Sequence, residues 1–304
     1  MYQAMPRVAL FDTHAVFFRA FHALPPMNSA DGAPTSALYG FSVMLLKVLR
    51  EHGPDEIAFA VDLPRKTFRH ERFAAYKAHR ARPPTPLVQQ LERLPDLLSV
   101  LGVPVLSAPG FEADDVLATV AEHAAADGRD ALVVTGDRDL LQLARDSVRV
   151  LFIGVRGQEP VVYDGEAVRE RFGFPAANLP TLIALAGDKS DNIPGVPGIG
   201  DRTAKRLVRE FGTVDGLLEN LDSVRPEKLR ALLDANREQL AMNETLSRLR
   251  TDVDVGGPPY SRAISREGFA RLREEFERFE FKSLLPRLDA LVETRLGPAQ
   301  ERGR

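Results

Sequence analysis

The chain has 304 residues, of which 44% are hydrophobic and 27% are charged. This composition is typical of a globular protein with about two domains. Cys is absent, which excludes disulfides, zinc–thiolate sites and a catalytic thiol. No apolar run approaches the roughly 18 residues that a membrane span needs, and the N-terminus does not have the pattern of a secretory signal. We therefore expect a cytoplasmic protein that does not enter a membrane.

The first half of the chain alternates predicted strands with predicted helices. Short apolar runs predict strands over 7–12, 56–61, 103–106, 130–135 and 148–153. Helical spacing predicts a helix that begins at Thr35 or Ser36 and ends at Gly53, and two more over 87–101, kinked or split at Pro95, and 112–126. This alternation predicts an α/β fold with a doubly wound, mostly parallel sheet and helices on both faces.

The strand pattern fades after about residue 173. Apolar periodicity then predicts short helices over 179–186, 204–211, 214–220, 226–235, 239–249 and 267–276. We predict an α/β domain over 1–173, a smaller all-helical domain over 174–293 and a polar tail over 294–304.

Acidic residues stand at the predicted ends of three strands. Asp12, Asp62 and Asp137 each lie at or just after the carboxyl end of a predicted strand. Ligands of doubly wound sheets bind beyond these ends, so we expect the three carboxylates to meet at one edge.

Further acids lie in short clusters. With the three strand-end residues they make nine candidates: Asp12, Asp62, Glu112, Asp114, Asp115, Asp137, Asp139, Asp188 and Asp191. Clustered carboxylates repel each other unless cations lie between them, and oxygen ligands without nearby His or Cys favour Mg²⁺ or Mn²⁺. Nine exceed the needs of one ion and suit two Mg²⁺ ions that promote an in-line phosphoryl displacement, with Mn²⁺ as a substitute.

Two motifs that are absent from the sequence restrict the classes of substrate and reaction. The sequence has no glycine-rich P-loop, which favours a phosphodiester over ATP as the substrate. A phosphatase with an aspartyl nucleophile needs a second Asp two residues after the first, and here Asp12 is followed by Thr13 and His14.

Residues 65–82, named the basic segment below, carry seven Lys or Arg against one acid, Glu71. Aromatic residues interleave with these cations, as on surfaces that bind single strands. We expect Phe68 and Phe73 to pack into the core, and Lys77 and Arg80 to contact the substrate. The DNA-contact candidates in this segment are Arg69, Tyr76, Lys77 and Arg80.

A glycine-rich turn follows the last acidic cluster and precedes a basic helix. Glycines allow the backbone to approach a phosphate, and a helix N-terminus offers it free N–H groups. The pattern predicts a helix–hairpin–helix grip on duplex DNA without base recognition. Its candidate DNA contacts are Gly195, Val196, Gly198, Ile199, Gly200, Lys205 and Arg206.

The chain resembles, over nearly its whole length, the 5′-nuclease domain of bacterial DNA polymerase I and the related flap endonucleases. The resemblance rests on an ordered set of motifs: LFDTHAVFFRAFHALPP, DGAPTSALYGF, FRHERFAAYKAHR, FEADDVLAT, TGDRDLLQL, GDKSDNIPGVPGIGDRTAKRL and FERFEFKSLLPRL. It implies a PIN-like nuclease domain, and all nine acids match the family's metal-site positions. It places Lys77 and Arg80, with a catalytic role, in a helical arch near 65–86, and 195–200 in the duplex grip.

The implied activity is Mg²⁺-dependent removal of 5′ flaps and 5′-terminal nucleotides, which releases 5′-phosphates during primer removal and repair. The implied partners are flapped, branched or nicked DNA with a free 5′ end, and RNA/DNA hybrids. The resemblance also implies K⁺ at the hairpin turn, a monomer, and association with the nucleoid.

Two alternatives are a catalytically silent DNA-junction binding protein of the same fold and a single-strand ribonuclease on a similar sheet. The full carboxylate set argues against the first, and the arch and glycine turn argue against the second. No feature indicates polymerase activity. The resemblance leaves open whether the chain is a stand-alone nuclease or an excised polymerase domain.

Overall fold

The structure, a computed structural model, describes residues 7–154, 158–257, 259–262 and 264–297. Its strands are β1 (Arg7–Asp12), β2 (Glu56–Ala60), β3 (Val105–Leu106), β4 (Asp130–Thr135), β5 (Val148–Phe152), β6 (Val161–Tyr163), β7 (Gly187–Asp188), β8 (Ile193–Pro194) and β9 (Ser261–Arg262).

The main sheet has the strand order β3–β2–β1–β4–β5–β6, and β9 joins the outer edge of β2. The central pairs are parallel, whereas β6 and β9 run antiparallel to their neighbours. The predicted mostly parallel, doubly wound sheet is confirmed. The sequence did not predict β6 or β9, because such short strands carry no readable period. The strand order reverses between β1 and β4, which is where such sheets bind ligands.

The helices of the α/β part are α1 (Thr13–Ala23), α2 (Ser36–Glu51), α3 (Phe68–Arg72), α4 (Thr85–Leu91), α5 (Leu94–Ser99), α6 (Ala113–Ala126) and α7 (Gly165–Phe172). The predicted break near Pro95 is confirmed, since α4 and α5 are separate helices. Helix α1 was not predicted. It begins at once after β1 because the Asp12 carboxylate accepts a hydrogen bond from the Ala15 N–H at 3.1 Å and caps it.

The helices of the second half are α8 (Leu179–Ala186), α9 (Asp201–Phe211), α10 (Val214–Glu219), α11 (Glu227–Asp234), α12 (Arg237–Ser247), α13 (Arg266–Arg278) and α14 (Leu285–Leu296). The predicted helical character of this half is confirmed. Among the described residues, no helix combines the length and apolarity needed to cross a membrane.

The core lies on both faces of the main sheet, because alternate residues of β1 point in opposite directions. Val8 and Leu10 pack in a cluster with α6 and with α8 to α12. Ala9 and Phe11 pack in the other cluster with α1, α2, α13 and α14. The chain therefore returns to the sheet after α12. The predicted helical range 174–293 includes this returning segment, and its boundaries remain a prediction.

A small antiparallel hairpin of β7 and β8 links α8 to α9. Gly195 is required there, since a Cβ at this position would lie 2.4 Å from the Ala186 carbonyl oxygen. This tight approach holds the predicted glycine turn against the end of α8.

The basic segment is helical only over α3. The resemblance implies a helical arch near 65–86, but residues 73–84, between α3 and α4, follow turns and extended backbone. Lys77 adopts a left-handed conformation with φ +53°, which costs a non-glycine residue on the order of 1 kcal/mol. Tertiary contacts of this segment, described next, stabilise that conformation.

Candidate metal and nucleic-acid site

Three of the predicted carboxylates meet at the carboxyl edge of the sheet. Asp12 ends β1, and Asp62 and Asp137 follow its two neighbours, β2 and β4. Asp12 is buried, with 3% of its surface exposed. Burial, together with the nearby charges of Asp137 and Asp62, raises the pKa of Asp12 to about 7, although hydrogen bonds from Thr135 and Ala15 oppose the rise.

Thr135, which sequence reasoning missed, connects two of these acids. Its hydroxyl donates to Asp12 Oδ2 at 2.6 Å and accepts from the Asp137 N–H at 2.8 Å. Thr135 is fully buried. Thr135 is the last residue of β4, the strand beside β1, so the strand register places it next to Asp12. This position was the signal from which Thr135 could have been predicted.

His14, also missed, lies beside Asp62. Its Nδ1 accepts from the Asp62 N–H at 3.0 Å and lies 3.3 Å from Asp62 Oδ2. The Ala113 N–H donates to Asp62 Oδ1 at 2.9 Å. Burial would raise the pKa of Asp62, but the contact of its carboxylate with His14, the hydrogen bond from Ala113 and the charges of His14 and Lys77 outweigh it, and the pKa is lowered.

The carboxylates form two groups that share Asp137. Burial raises the pKa of Asp114, and the charges of Asp12, Asp137 and Asp62 raise it further. Burial likewise raises the pKa of Asp139, and there the added charges are those of Asp137, Asp191 and Asp188. The first group therefore lies around Asp114 and the second around Asp139. Lys77 opposes the rise in pKa in both groups, but burial and the neighbouring carboxylates outweigh it.

Cations of the basic segment occupy one side of this cluster. Lys77 Nζ lies 3.0 Å from both oxygens of Glu112 and 3.6 Å from Asp191 Oδ2. Arg80 Nη2 donates to Asp191 Oδ1 at 2.7 Å. Burial would lower the pKa of Lys77, but the charges of Glu112 and Asp191 raise it.

With these contacts in place, the described parts of the chain offer no group of three acidic or histidine side chains ready to hold a metal ion. The donor chemistry nevertheless fits hard divalent cations. The predicted donors are all carboxylate oxygens, and burial, together with neighbouring negative charges, raises the pKa values of Asp12, Asp114, Asp137 and Asp139. Of the nine predicted metal ligands, Glu112 and Asp191 are the two whose oxygens contact Lys77 and Arg80.

Two predicted DNA contacts need correction. Arg69 and Tyr76 are each only 2% exposed, so neither presents a surface to DNA in this conformation. The Tyr76 hydroxyl lies 2.7 Å from Asp191 Oδ2 and 3.0 Å from Glu112 Oε2. The Arg69 guanidinium pairs with Asp115, through two hydrogen bonds of 2.6 and 2.8 Å. Asp115, another of the predicted metal ligands, is fully buried.

The glycine turn places backbone, rather than side chains, at the surface. Val196 and Ile199 are buried, so these two predicted contacts could reach DNA only through their main chains. Gly198, with φ +86°, and Gly200, which precedes α9, are exposed. Lys205 pairs with Asp201 at 2.8 Å and Arg206 with Glu210 at 3.5 Å, both within α9.

Two adjoining clefts run past the carboxylates, and both are lined by Arg19, Arg80, Gly136 and Asp137. The arch cleft, of about 1310 Å³, extends from Asp12, Asp62 and Asp114 to the apolar residues Phe18, Val88 and Leu91. The hairpin cleft, of about 650 Å³, extends from Asp139 and Asp188 to Lys205. Arg19, Arg138 and Arg171 line it as well. Sequence reasoning missed these three because each stands outside a basic cluster.

The fold defines a resolvase-like domain followed by a helical domain, and two family models match this division. Residues 7–173 match the 5′-3′ exonuclease N-terminal resolvase-like domain, and residues 174–266 match the 5′-3′ exonuclease C-terminal SAM fold. The chain belongs to the 5′-3′ exonuclease family, which confirms the resemblance drawn from its motifs.

Individual relatives agree with this assignment. The DNA polymerase I of Mycobacterium bovis is 39% identical over 303 residues, which are 99% of this chain and 33% of that protein. The chain thus spans about a third of the length of the curated relatives it matches. The T5 5′-exonuclease with bound zinc ions has a TM-score of 0.66 at 21% identity, covering 94% of this chain and 98% of that one. A T5 flap endonuclease in a complex with DNA and metal ions has a TM-score of 0.64 at 19% identity, covering 95% and 99%. These two likenesses support the fold.

Proposed function

We propose that the chain is a structure-specific nuclease that hydrolyses phosphodiesters near the 5′ end of flapped, branched or nicked DNA. The observation that carries this proposal is the pair of carboxylate groups that share Asp137, at the junction of two clefts. The basic segment borders the arch cleft, and β7 and the first turns of α9 border the hairpin cleft. Family membership supports the same reaction class.

The cofactor we propose is a pair of Mg²⁺ ions, with Mn²⁺ as a substitute. Asp12, Asp62, Glu112 and Asp114 would hold one ion, Asp139, Asp188 and Asp191 the other, and Asp137 would serve both. When bound, the ions supply an activated water and stabilisation of the attacking and leaving oxygens. The fit rests on the oxygen-only donor set and its excess negative charge.

The chain's own residues would position the phosphodiester. Lys77 and Arg80 contact Glu112 and Asp191. Because these cations border the carboxylates, they can transfer their hydrogen bonds to the non-bridging oxygens of the scissile phosphate. Fixed cations at this point stabilise the charge that builds in the transition state. Thr135 holds Asp12 and the Asp137 backbone in their relative positions.

The duplex would lie on the hairpin side of the molecule. The exposed backbone at Gly198 and Gly200 and the cations Lys205 and Arg206 would contact its phosphates, without regard to base sequence. We propose K⁺ at this turn. The free 5′ end would enter the arch cleft, and the biological substrates would be replication primers, including RNA/DNA hybrids, and repair intermediates, processed by a monomer.

Incubation of a 5′-flap duplex with the protein, with and without Mg²⁺, tests the proposal. We expect Mg²⁺-dependent fragments with 5′-phosphates, and Asp137→Asn should lose nearly all of this cleavage while still binding the duplex. Binding by wild-type protein without any Mg²⁺- or Mn²⁺-dependent product would favour the silent junction binder instead. Cleavage of unstructured RNA but not of the flap would favour the ribonuclease.

A further inference from the structure

Asp114 and Asp115 are adjacent in sequence but lie in opposite electrostatic surroundings. Asp114 lines the arch cleft together with the carboxylates of Asp12, Asp62 and Asp137. Asp115 is fully buried and receives four hydrogen bonds. Two come from Arg69, at 2.6 and 2.8 Å, and two from the backbone N–H groups of Glu112 and Arg250, at 3.1 and 2.9 Å.

A carboxylate offers about four lone-pair sites. The four donors to Asp115 therefore leave its oxygens no free position for a cation, and the guanidinium already neutralises its charge. Asp115 thus has neither a free oxygen position nor an unneutralised charge, which are the two features that make a carboxylate such as Asp114 a candidate metal ligand.

Arg69 connects three parts of the chain through the same pair. It lies on α3 at the base of the basic segment, and its partner Asp115 lies in the first turn of α6. Its Nε donates to the Leu246 carbonyl at 2.7 Å and its Nη2 to the Arg248 carbonyl at 3.3 Å. Leu246 lies in the last turn of α12, and Arg248 directly follows this helix, where the chain begins its return to the sheet.

We infer that Arg69 and Asp115 are a positioning pair, and that they are neither a DNA contact nor a metal ligand. Asp115 Oδ2 holds the Glu112 N–H, and Arg69 Nη1 lies 3.6 Å from Glu112 Oε2. Lys77, eight residues after Arg69, contacts the same Glu112. The pair thereby fixes the site's Glu112 relative to the cation that borders it. This inference rests on the proposed function for the role of Glu112, but the placement of the pair does not.

The metal-free protein provides the first test, by comparison of Asp115→Asn with its neighbour Asp114→Asn. Asp115→Asn leaves a buried guanidinium without its counter-charge and should lower the Tm by roughly 10 °C. Asp114→Asn relieves repulsion among carboxylates and should raise the Tm by a few degrees. A rise in Tm for Asp115→Asn would overturn the inference, because it would put Asp115 inside the repelling cluster.

Mn²⁺ binding measured by titration calorimetry without DNA provides the second test. Asp114→Asn should weaken binding at least tenfold, whereas Asp115→Asn, measured below its unfolding transition, should keep the wild-type number of sites and an affinity within about threefold. Loss of one Mn²⁺ site in Asp115→Asn would show that Asp115 is a ligand. If Asp115→Asn fails to fold, the double variant Arg69→Met with Asp115→Leu replaces it, since it leaves no unpaired buried charge.

The double variant also separates positioning from mere stability. It should recover most of the Tm but not the single-turnover rate at saturating flap DNA, which we expect to stay at least tenfold low while the Kd for the flap changes less than threefold. A wild-type rate in the double variant would overturn the positioning role. A wild-type protein that cleaves nothing would reject the proposed function, while the Tm comparison of Asp114→Asn and Asp115→Asn would still test the placement of the pair.

Discussion

The basic segment and helix α9 both carry clustered cations, but they hold them differently. In the basic segment, Lys77 and Arg80 pair with carboxylates more than thirty residues away in sequence, and these carboxylates are almost completely buried. In α9, Lys205 and Arg206 pair with acids four residues away on the same exposed helix surface. The first set is therefore part of the candidate chemical site. The second is a surface array, in which single pairs contribute little and are readily replaced by phosphates.

This contrast predicts that the two regions control different steps. Changes in the basic segment should alter the rate of cleavage at saturating DNA. Changes in α9 should alter the affinity for duplex and its dependence on salt.

The largest effect is expected for Lys77→Ala. Loss of a fixed cation at the scissile phosphate should lower the single-turnover rate roughly 100-fold at saturating flap DNA. The Kd for the duplex should change less than threefold. Lys66→Ala, an exposed cation of the same segment, serves as the matched control and should cleave within a few-fold of wild type. Equal losses of cleavage rate in both variants would show that Lys77 contributes only to the overall positive electrostatic potential of the segment.

A smaller effect is expected for Thr135→Val, which removes the hydroxyl between Asp12 and Asp137. Partners that orient ligands typically change metal affinity 10–100-fold, and we expect about tenfold weaker Mn²⁺ binding by calorimetry. Thr135→Ser keeps the hydroxyl and should bind Mn²⁺ nearly as wild type does. Equal binding by the Val and Ser variants would show that the hydrogen bonds of Thr135 do not position the acids.

Lys205→Ala should weaken binding of any duplex-bearing substrate by a few-fold, irrespective of sequence. The slope of log K against log salt should fall by roughly one, as the loss of one phosphate contact requires. Single-stranded oligonucleotides should bind as before. Lys47→Ala, on α2 outside both clefts, is the control. An unchanged salt slope for Lys205→Ala would remove α9 from the duplex interface.

The smallest effect concerns the pH dependence of stability without metal. Asp12 has a pKa of about 7 in the folded protein, compared with its ordinary value of 3.8. Between these two pH values the folded state therefore binds more protons than the unfolded state. Stability should therefore fall as pH rises from about 4 to 7, and the Tm should drop by a few degrees over this window. Mg²⁺ should flatten the dependence, because bound cations favour ionised carboxylates. A Tm that rises over this window without metal would contradict the buried acidic cluster.

The parts of the molecule that depend on local pattern were predictable from the sequence. The apolar runs of β1 and β4 identify their strands, and the strand-end positions of Asp12 and Asp137 place them at one sheet edge. The glycine turn before α9 was also predictable, because the glycines that the turn needs, such as Gly195, stand together in the sequence.

Other parts depend on contacts between distant residues, which periodicity does not contain. Nothing near Arg69 in the sequence indicates that it pairs with Asp115, so the sequence pattern predicts a DNA contact for its guanidinium instead. Tyr76 was likewise assigned to DNA because its burial follows from contacts with Glu112 and Asp191. The short strand β9 pairs with a strand about 200 residues earlier, and its own two residues carry no period.

The packing of early helices against helices near the end of the chain has a consequence for the order in which the protein can fold during synthesis. Helix α2 packs its apolar face, including Phe41 and Leu45, in one cluster with Phe269 and Phe276 of α13. About 200 residues separate the two helices, so at bacterial-like elongation rates of about 5–20 residues per second the ribosome needs on the order of 10–40 s to deliver the partner. Throughout that interval part of the α2 surface has no native cover, which makes the nascent chain a substrate for chaperones that bind exposed apolar surface. A messenger truncated after residue 266 would leave this surface uncovered permanently, and its product should aggregate.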